Sequence, residues 1–392
     1  MTRPRATCGR STCLLAAAAL AAACAVLAAG CGVKIAAPQA VGLFSTNAYT
    51  TDTLFVDPDA RQMVAAIGRL FVVGADGSLV KRTLDYEEYS RVDGFADPVA
   101  VCTDEDARLV FVWEAGANRL SAFQTSDLSP VGSATLATVQ RVTHIYASRT
   151  GKDELAPDAQ TFLYLADPDS GVVHRFAWYA GGDMAPMGIL CRDEGLSTRA
   201  VHVPAGMLRD VSGMLMVCDA DTARNWVTRF DPTPILTDVA DVPEGPHPWR
   251  GLAVVYEAEG CEPQPQSAYT LGDAPECGED ATWVGGRSDA QAEFDTPTAL
   301  ASDGQGRIFV ADTGNDRVQI FSDRGEFEMT FRDTSRTLDP ISIGVVDVRI
   351  AGGSVNFGAY VFTLSGVDGK VRRFISYDHY MSLNDEPPPP PN

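Results

Sequence analysis

PTALASDGQGRIFVADTGNDRVQIFSDRGEFEMTF, residues 297–331, decides the fold. Residues of high strand propensity alternate here with turn formers, which is the pattern of short antiparallel strands joined by hairpins. The spacing predicts a strand after Pro297, a turn over 303–306, a strand over 308–311, a tight turn over 312–316 and a strand over 318–321. Gly314 and Asn315 are expected to supply positive φ in the second turn, and Asp312 to accept hydrogen bonds from its backbone N–H groups.

The same pattern recurs along the chain as an apolar strand, a polar turn and a second strand ending in an aromatic. VFVWEAGANRLSAF (110–123) aligns without a gap and sets Glu114 on Asp312, Gly116 on Gly314 and Arg119 on Arg317. LYLADPDSGVVHRF (163–176) sets Asp167 on Asp312, and LMVCDADTARNWVTRF (215–230) keeps Asp219 with a longer turn. VFTLSGVDGKVRRF (361–374) has Ser365 in place of the acid, while LFVVGADGSLVKRT (70–83) loses both acid and aromatic. Pro98, Pro204 and Pro297 precede three of the copies at similar distance. Each unit buries its apolar face only against its neighbours, and radial repetition of small sheets leaves few exposed edges. The expectation is an all-β chain folded as a six-bladed β-propeller. The long interval 231–296 contains RGLAVVYEAEG and ATWVGG, which keeps a seventh blade as the alternative.

GGRSDAQAEFDTPTALASDGQGRIFVADTGNDRVQIF (285–321) resembles an NHL repeat, through its Gly-Gly lead-in, Phe294, Pro297, Asp312, Gly314, Asn315, Arg317 and Phe321. The resemblance covers one blade and extends to the others by internal analogy. It implies a propeller; the partner is not read from it.

The N-terminus carries a separate signal. Arg3, Arg5 and Arg10 lead into CLLAAAALAAACAVLAAGC (13–31), with no acidic residue before Cys31. A basic start, an apolar stretch and small residues before a cleavage point describe an export signal rather than a spanning anchor. The run Leu27-Ala28-Ala29-Gly30-Cys31 resembles a bacterial lipobox, with Cys31 as the lipid-modified residue. The alternatives are ordinary signal cleavage or retention as an anchor. Gly32 is not the aspartate associated with inner-membrane retention, so in a Gram-negative cell the resemblance implies a lipoprotein of the outer membrane. A multiply acylated cysteine would supply the chains that stable attachment needs. The expected organisation is a signal peptide over 1–30, a tether over 31–48, the propeller over 49–380 and a Pro-rich tail over 381–392. A ring closes best when its first and last strands share a blade, so 49–56 is expected to pair with the blade of 361–374.

The 392 residues carry a formal net charge of -21, with 45% hydrophobic and 21% charged residues, which suits a globular protein with a large core. Loss of the leader removes three arginines and no acid, leaving the mature part more acidic still. Nucleic acid is not expected as a partner, since polyanions repel. Cys8, Cys13 and Cys24 leave with the leader. Cys261 and Cys277 bracket a Pro-rich loop, and export makes a disulfide between them the expectation. Closing such a loop contributes roughly 3 kcal/mol. Cys102 and Cys218 fall in predicted strands and read as small buried hydrophobes, with Cys191 left to pair with either or stay free.

His144, His174, His202, His247 and His379 are dispersed, and no metalloprotease, nucleophile-elbow or phosphate-loop motif is present. Glu114, Asp167, Asp219 and Asp312 recur at one place in several units, which assigns them to the frame as turn caps rather than to calcium or catalysis. Residues 167–171 and 219–221 resemble fragments of calcium loops without the full ligand set, so no cofactor or metal site is expected and calcium is the one ion left open. Arg119 and Arg317 are expected to pair with nearby acids, and Phe123, Phe176, Phe230, Phe321 and Phe374 to pack between blades. Two function classes follow. The first is a lipid-anchored cell-envelope scaffold that binds a protein, peptide or glycan, with the loop 259–283 as a candidate for specificity. The second is a propeller enzyme, a lactonase-like hydrolase or lyase with an axial divalent ion. It needs polar residues unique to single blades that converge on the channel.

Overall fold

The computed structural model describes residues 49–376, less 138, 140, 149–155, 157, 191–200, 212, 214, 222–224, 231–292, 324, 326, 333–337 and 350–356. The chain divides into Met1–Gln39, outside the described residues, and Ala40–Asn392, which holds all of the described structure.

Among the described residues six antiparallel sheets follow one another, five of four strands and one of three. Blade 1 is built from Ala60–Ala66, Arg69–Gly74, Ser78–Arg82 and Glu88–Asp93. Blade 2 is built from Pro98–Thr103, Leu109–Glu114, Arg119–Gln124 and Pro130–Thr135. Blade 3 uses His144–Ser148, Thr161–Asp167, Val172–Trp178 and Met184–Leu190. Blade 4 has Pro204–Arg209, Leu215–Asp219 and Trp226–Phe230. Blade 5 is Pro297–Ser302, Ile308–Asp312, Arg317–Phe321 and Phe327–Phe331. Blade 6 takes Pro340–Arg349, Phe357–Ser365 and Lys370–Ser376, and its outer strand is Tyr49–Val56 from the start of the chain. Tyr49 pairs with Ser376 and Val56 with Lys370, so the ring closes as the sequence leads one to expect.

Apolar packing completes the circuit. Six buried clusters each join consecutive blades: Phe71 and Val112 between 1 and 2, Phe111 and Trp178 between 2 and 3, Tyr164 and Val217 between 3 and 4. Met216 and Phe321 join 4 to 5, Phe309 and Phe374 join 5 to 6, and Phe362 and Val72 join 6 to 1. The repeated aromatics Phe123, Phe176, Phe321 and Phe374 are all buried in these interfaces; the side chain of Phe230 lies outside the described residues. The inner strands of blades 4 and 5 touch directly. A Cβ on Gly206 would stand 2.4 Å from the Ala299 Cα, so only glycine allows the approach. Six blades therefore complete the ring among the described residues, and residues 231–292, the seat of the alternative seventh blade, lie outside them.

Two features of the repeat differ from the sequence reading. The turn after Asp312 is a 3-10 turn over Thr313–Asn315, and the residue with positive φ is Asp316, at 54°. Gly314 is needed for room: a Cβ there would lie 2.5 Å from the Asp295 carboxyl carbon, and its N–H donates to the Asp295 carbonyl at 2.7 Å. Blade 2 repeats this solution, with Asn118 at φ 45° and Gly116 against the Ala96 carbonyl.

Candidate functional site

The recurring acids lie deep inside the frame. Glu114, Asp167, Asp219 and Asp312 are each almost wholly buried at the end of a second strand. Their role is broader than capping a turn. Asp312 accepts from Arg317 Nε at 2.6 Å, from the Asn315 and Gln319 amides, and from the backbone N–H of Asp295 in the segment arriving from blade 4. Glu114 takes Arg119 in a bidentate pair at 2.7 Å, Ser121 at 2.8 Å and the Ala96 N–H at 3.1 Å. Asp219 holds the N–H groups of His202 and Val203 as well as Asp221 in its own turn. Asp167 follows the expected pattern, accepting the Ser170 N–H and hydroxyl, with His174 Nε2 at 3.4 Å. These carboxylates satisfy backbone donors that burial would otherwise orphan. Arg119 and Arg317 pair with acids as expected.

What remains for function lies on the axis, where the inner strands line a cavity of 520 Å³. An inner strand has one sheet neighbour, so its other edge presents unpaired backbone groups to the axis. Polar side chains answer them at the end where the strands begin. Gln62 crosses from blade 1, accepting from the Val101 N–H at 2.7 Å and donating to the Thr143 carbonyl at 3.2 Å. Ser342 bridges from blade 6, accepting from the Met63 N–H and donating to its carbonyl. His144 holds the equivalent seat in blade 3. Its ring nitrogens are closed to solvent with no hydrogen-bond partner among the described residues, and burial pushes its pKa down to about 4.

The other end, where the inner strands finish, is a mouth of different character. Glu105 from blade 2, Tyr146 from blade 3 and Arg209 from blade 4 all line it. Glu105 Oε1 accepts from Ser148 Oγ at 2.7 Å, Tyr146 OH at 3.4 Å and Arg209 Nη1 at 3.4 Å. Arg209 is fixed by donating through Nε to the Gly213 carbonyl at 3.0 Å. Burial, reinforced by Glu105, raises the Tyr146 phenol pKa and keeps it a hydrogen-bond donor. Ile67 at the rim is exposed and holds φ 47°, a strained choice for a β-branched side chain. Tyr49, where the described chain begins, packs on this same face, its hydroxyl 3.4 Å from Arg307 Nη2. The attachment point of the N-terminal segment therefore shares a face with the mouth.

Tyr146 and Arg209 do not repeat, whereas the Glu105 seat holds an acid again in blade 6, Asp347. The Glu105 seat is Gly304 in blade 5 and Val211 in blade 4, the Arg209 seat is Ser302, and the Tyr146 seat is Ala301. The sequence reading identified no such set, because each member sits in a different blade. Tyr146 and Arg209, placed on inner strands where blade 5 has Ala301 and Ser302, are the signal that finds it. Cys102 and Cys218 are free and buried, as expected, and burial raises both thiols. Cys31, Cys191, Cys261, Cys277, His247, His379 and the loop 259–283 lie outside the described residues. Among the described residues no three His, Cys, Asp or Glu side chains gather to hold a metal ion.

Residues 294–321 match the family model of the NHL repeat. The chain is an NHL-like β-propeller. No curated protein matches it by sequence. Among solved structures it is similar to the β-propeller domain of Cps50 (Swd1) from Myceliophteria thermophila, at 11% identity and TM-score 0.48 over 83% of this chain and 99% of that one. It is also similar to virginiamycin B lyase from Staphylococcus aureus, at 8% identity and TM-score 0.42 over 84% and 99%. A putative 6-phosphogluconolactonase from Bacteroides uniformis gives 14% identity and TM-score 0.39 over 68% of each chain. At such distances these neighbours say nothing of what this propeller does.

Proposed function

We propose that the chain is a lipid-anchored cell-envelope propeller that acts as a binding scaffold and takes its partner at the channel mouth. One observation carries this reading: the charged residues shared between blades are turned into the frame, whereas side chains peculiar to single blades converge on one concave opening. A pocket with a few convergent polar groups is the default place for recognition. The lipobox-like run ending at Cys31 supplies the anchor, and the outer membrane is the compartment that Gly32 favours in a Gram-negative cell. Because Tyr49, on the outer strand of blade 6, lies on the mouth face, the tether joins the propeller on the face that carries its binding site.

Two measurements test the two halves. Growth with an alkyne fatty acid should label the wild-type protein in the membrane fraction and leave Cys31→Ser unlabelled; equal labelling of both removes the anchor. Photo-crosslinking from position 67, at the rim, should trap an envelope component more strongly than crosslinking from Val367, an exposed residue in the hairpin turn of blade 6 between Phe357–Ser365 and Lys370–Ser376. Equal or reversed trapping would move the binding face away from the mouth.

A further inference from the structure

We infer that the mouth is a sugar site, in which Glu105 and Arg209, framed by Tyr146 and Ser148, receive an uncharged polyhydroxylated ring such as the end of a neutral glycan. The inference rests on the binding reading above and names its ligand. Glu105 and Arg209 already neutralise one another at 3.4 Å. A cationic ligand drawn to Glu105 would meet the guanidinium, and an anionic one drawn to Arg209 would meet the carboxylate, so either must disrupt the pair at a desolvation cost. A hydroxyl does neither. It donates to the carboxylate and accepts from the guanidinium, and adjacent hydroxyls on one ring can address both groups together.

The walls agree. Beside the polar groups the cavity is lined by exposed Ile67 and half-buried Ala301, apolar surface of the kind that the C–H face of a sugar ring covers. A volume of 520 Å³ falls within the roughly 300–1,000 Å³ of small-ligand sites. Blade 5 builds the same turn with Gly304 and Ser302, so the turn itself does not require Glu105 or Arg209.

The test is calorimetric titration of the full-length protein in detergent with maltotriose, cellotriose and chitotriose, and with glucosamine and glucuronate as cationic and anionic counterparts. At least one neutral trisaccharide should bind. Glu105→Gln and Arg209→Gln should each weaken that binding by about tenfold or more, the size of one lost charge-assisted hydrogen bond. Ala301→Leu, which fills the cavity wall and leaves the ion pair alone, should block binding even if the charge variants fail to fold. Binding of glucosamine or glucuronate alone would replace the neutral ligand with a charged one. Failure of all the sugars, or neutral binding unchanged in all three variants, would overturn the sugar site. Rim crosslinking that persists after such a failure would leave the scaffold standing without a sugar; loss of both would remove the two readings together.

Discussion

Blades 5 and 2 place an acid and an arginine at the same two seats, opposite each other in register, and bury them to different depths. In blade 5 both members are sealed, with Arg317 1% exposed; in blade 2 Glu114 is sealed while Arg119 is 41% exposed. The consequence appears in their protonation. At Asp312 burial prevails over Arg317 and the other donors and raises the carboxyl pKa. At Glu114 burial works the same way, but Arg119, the Ala96 N–H and Ser121 together outweigh it and hold the carboxyl low. One motif thus serves as a closed internal bolt in one blade and a half-solvated one in another. Blades 1 and 6 have Gly74 and Ser365 at the acid's seat. In blade 1 only residues 57–59 separate Val56 from Ala60; the Asp57 N–H donates to the Gly369 carbonyl and the Ala60 N–H to the Asp57 carbonyl.

The largest way to break this comparison is to remove each arginine in turn. Arg317→Met strips a sealed carboxylate of its cation and should cost about 3–5 kcal/mol in urea unfolding, the usual penalty for one half of a buried pair. Arg119→Met should cost about 1 kcal/mol, because water reaches that pair. Equal losses would mean that the depth of burial at these seats is not what sets their energetics.

A smaller test uses the glycines that let the turns close. Gly314→Ala drives a Cβ into the Asp295 side chain at 2.5 Å and its carbonyl at 2.7 Å, and overpacking of that kind costs about 1–3 kcal/mol. Gly116→Ala meets the Ala96 carbonyl at 2.9 Å, a slightly looser contact, and should sit at the lower end of the range. A thermal melt that ranks Gly116→Ala as the worse variant would show that the two turns yield differently from their static spacing.

These turns also mark what the sequence made legible. The hairpin between second and third strands was readable because an acid ends the second strand in four blades, with a glycine and an arginine following within six residues in blades 2 and 5. The inner strand of blade 6 was harder: Pro340 begins it as Pro98, Pro204 and Pro297 begin theirs, but a ten-residue strand and the following loop carry Pro340 out of the common spacing. The mouth was invisible for a different reason. Glu105, Tyr146 and Arg209 are 41 and 104 residues apart along their contacts to Glu105, so they are joined only by the curvature of the ring. Periodicity reveals what blades share, and Tyr146 and Arg209 are what they do not.

The acid limb of stability sharpens the comparison further. A carboxyl held low in the fold stabilises above its ordinary value, 4.5 for Glu114, and loses that contribution as pH falls through its folded value. Glu114→Gln should therefore lower stability modestly at pH 7 and leave a flatter curve below pH 4.5. An unchanged acid limb would assign the titration to other carboxylates.

The smallest effect at neutral pH, and the most informative about the channel, is expected at His144. Blade 5 fills the same seat with Ala299 and blade 4 with Gly206, so the frame does not require an imidazole there. With its pKa pushed down from 6.5 to about 4 by burial, the ring is neutral in the folded protein at pH 7. As pH falls from 6.5 to about 4, the unfolded chain takes up a proton that the folded chain refuses, so this residue costs stability across that window and adds no further loss below it. His144→Leu removes two unpartnered nitrogens and keeps an apolar filling, which makes it close to neutral or stabilising at pH 7 and flattens the loss between 6.5 and 4. Urea midpoints of both proteins at pH 7 and pH 5 decide it. A loss of several kcal/mol at pH 7 would show that the imidazole has a working partner in the channel, such as a held water, and that blade 3 departs from its neighbours because the axis uses that hydrogen bond.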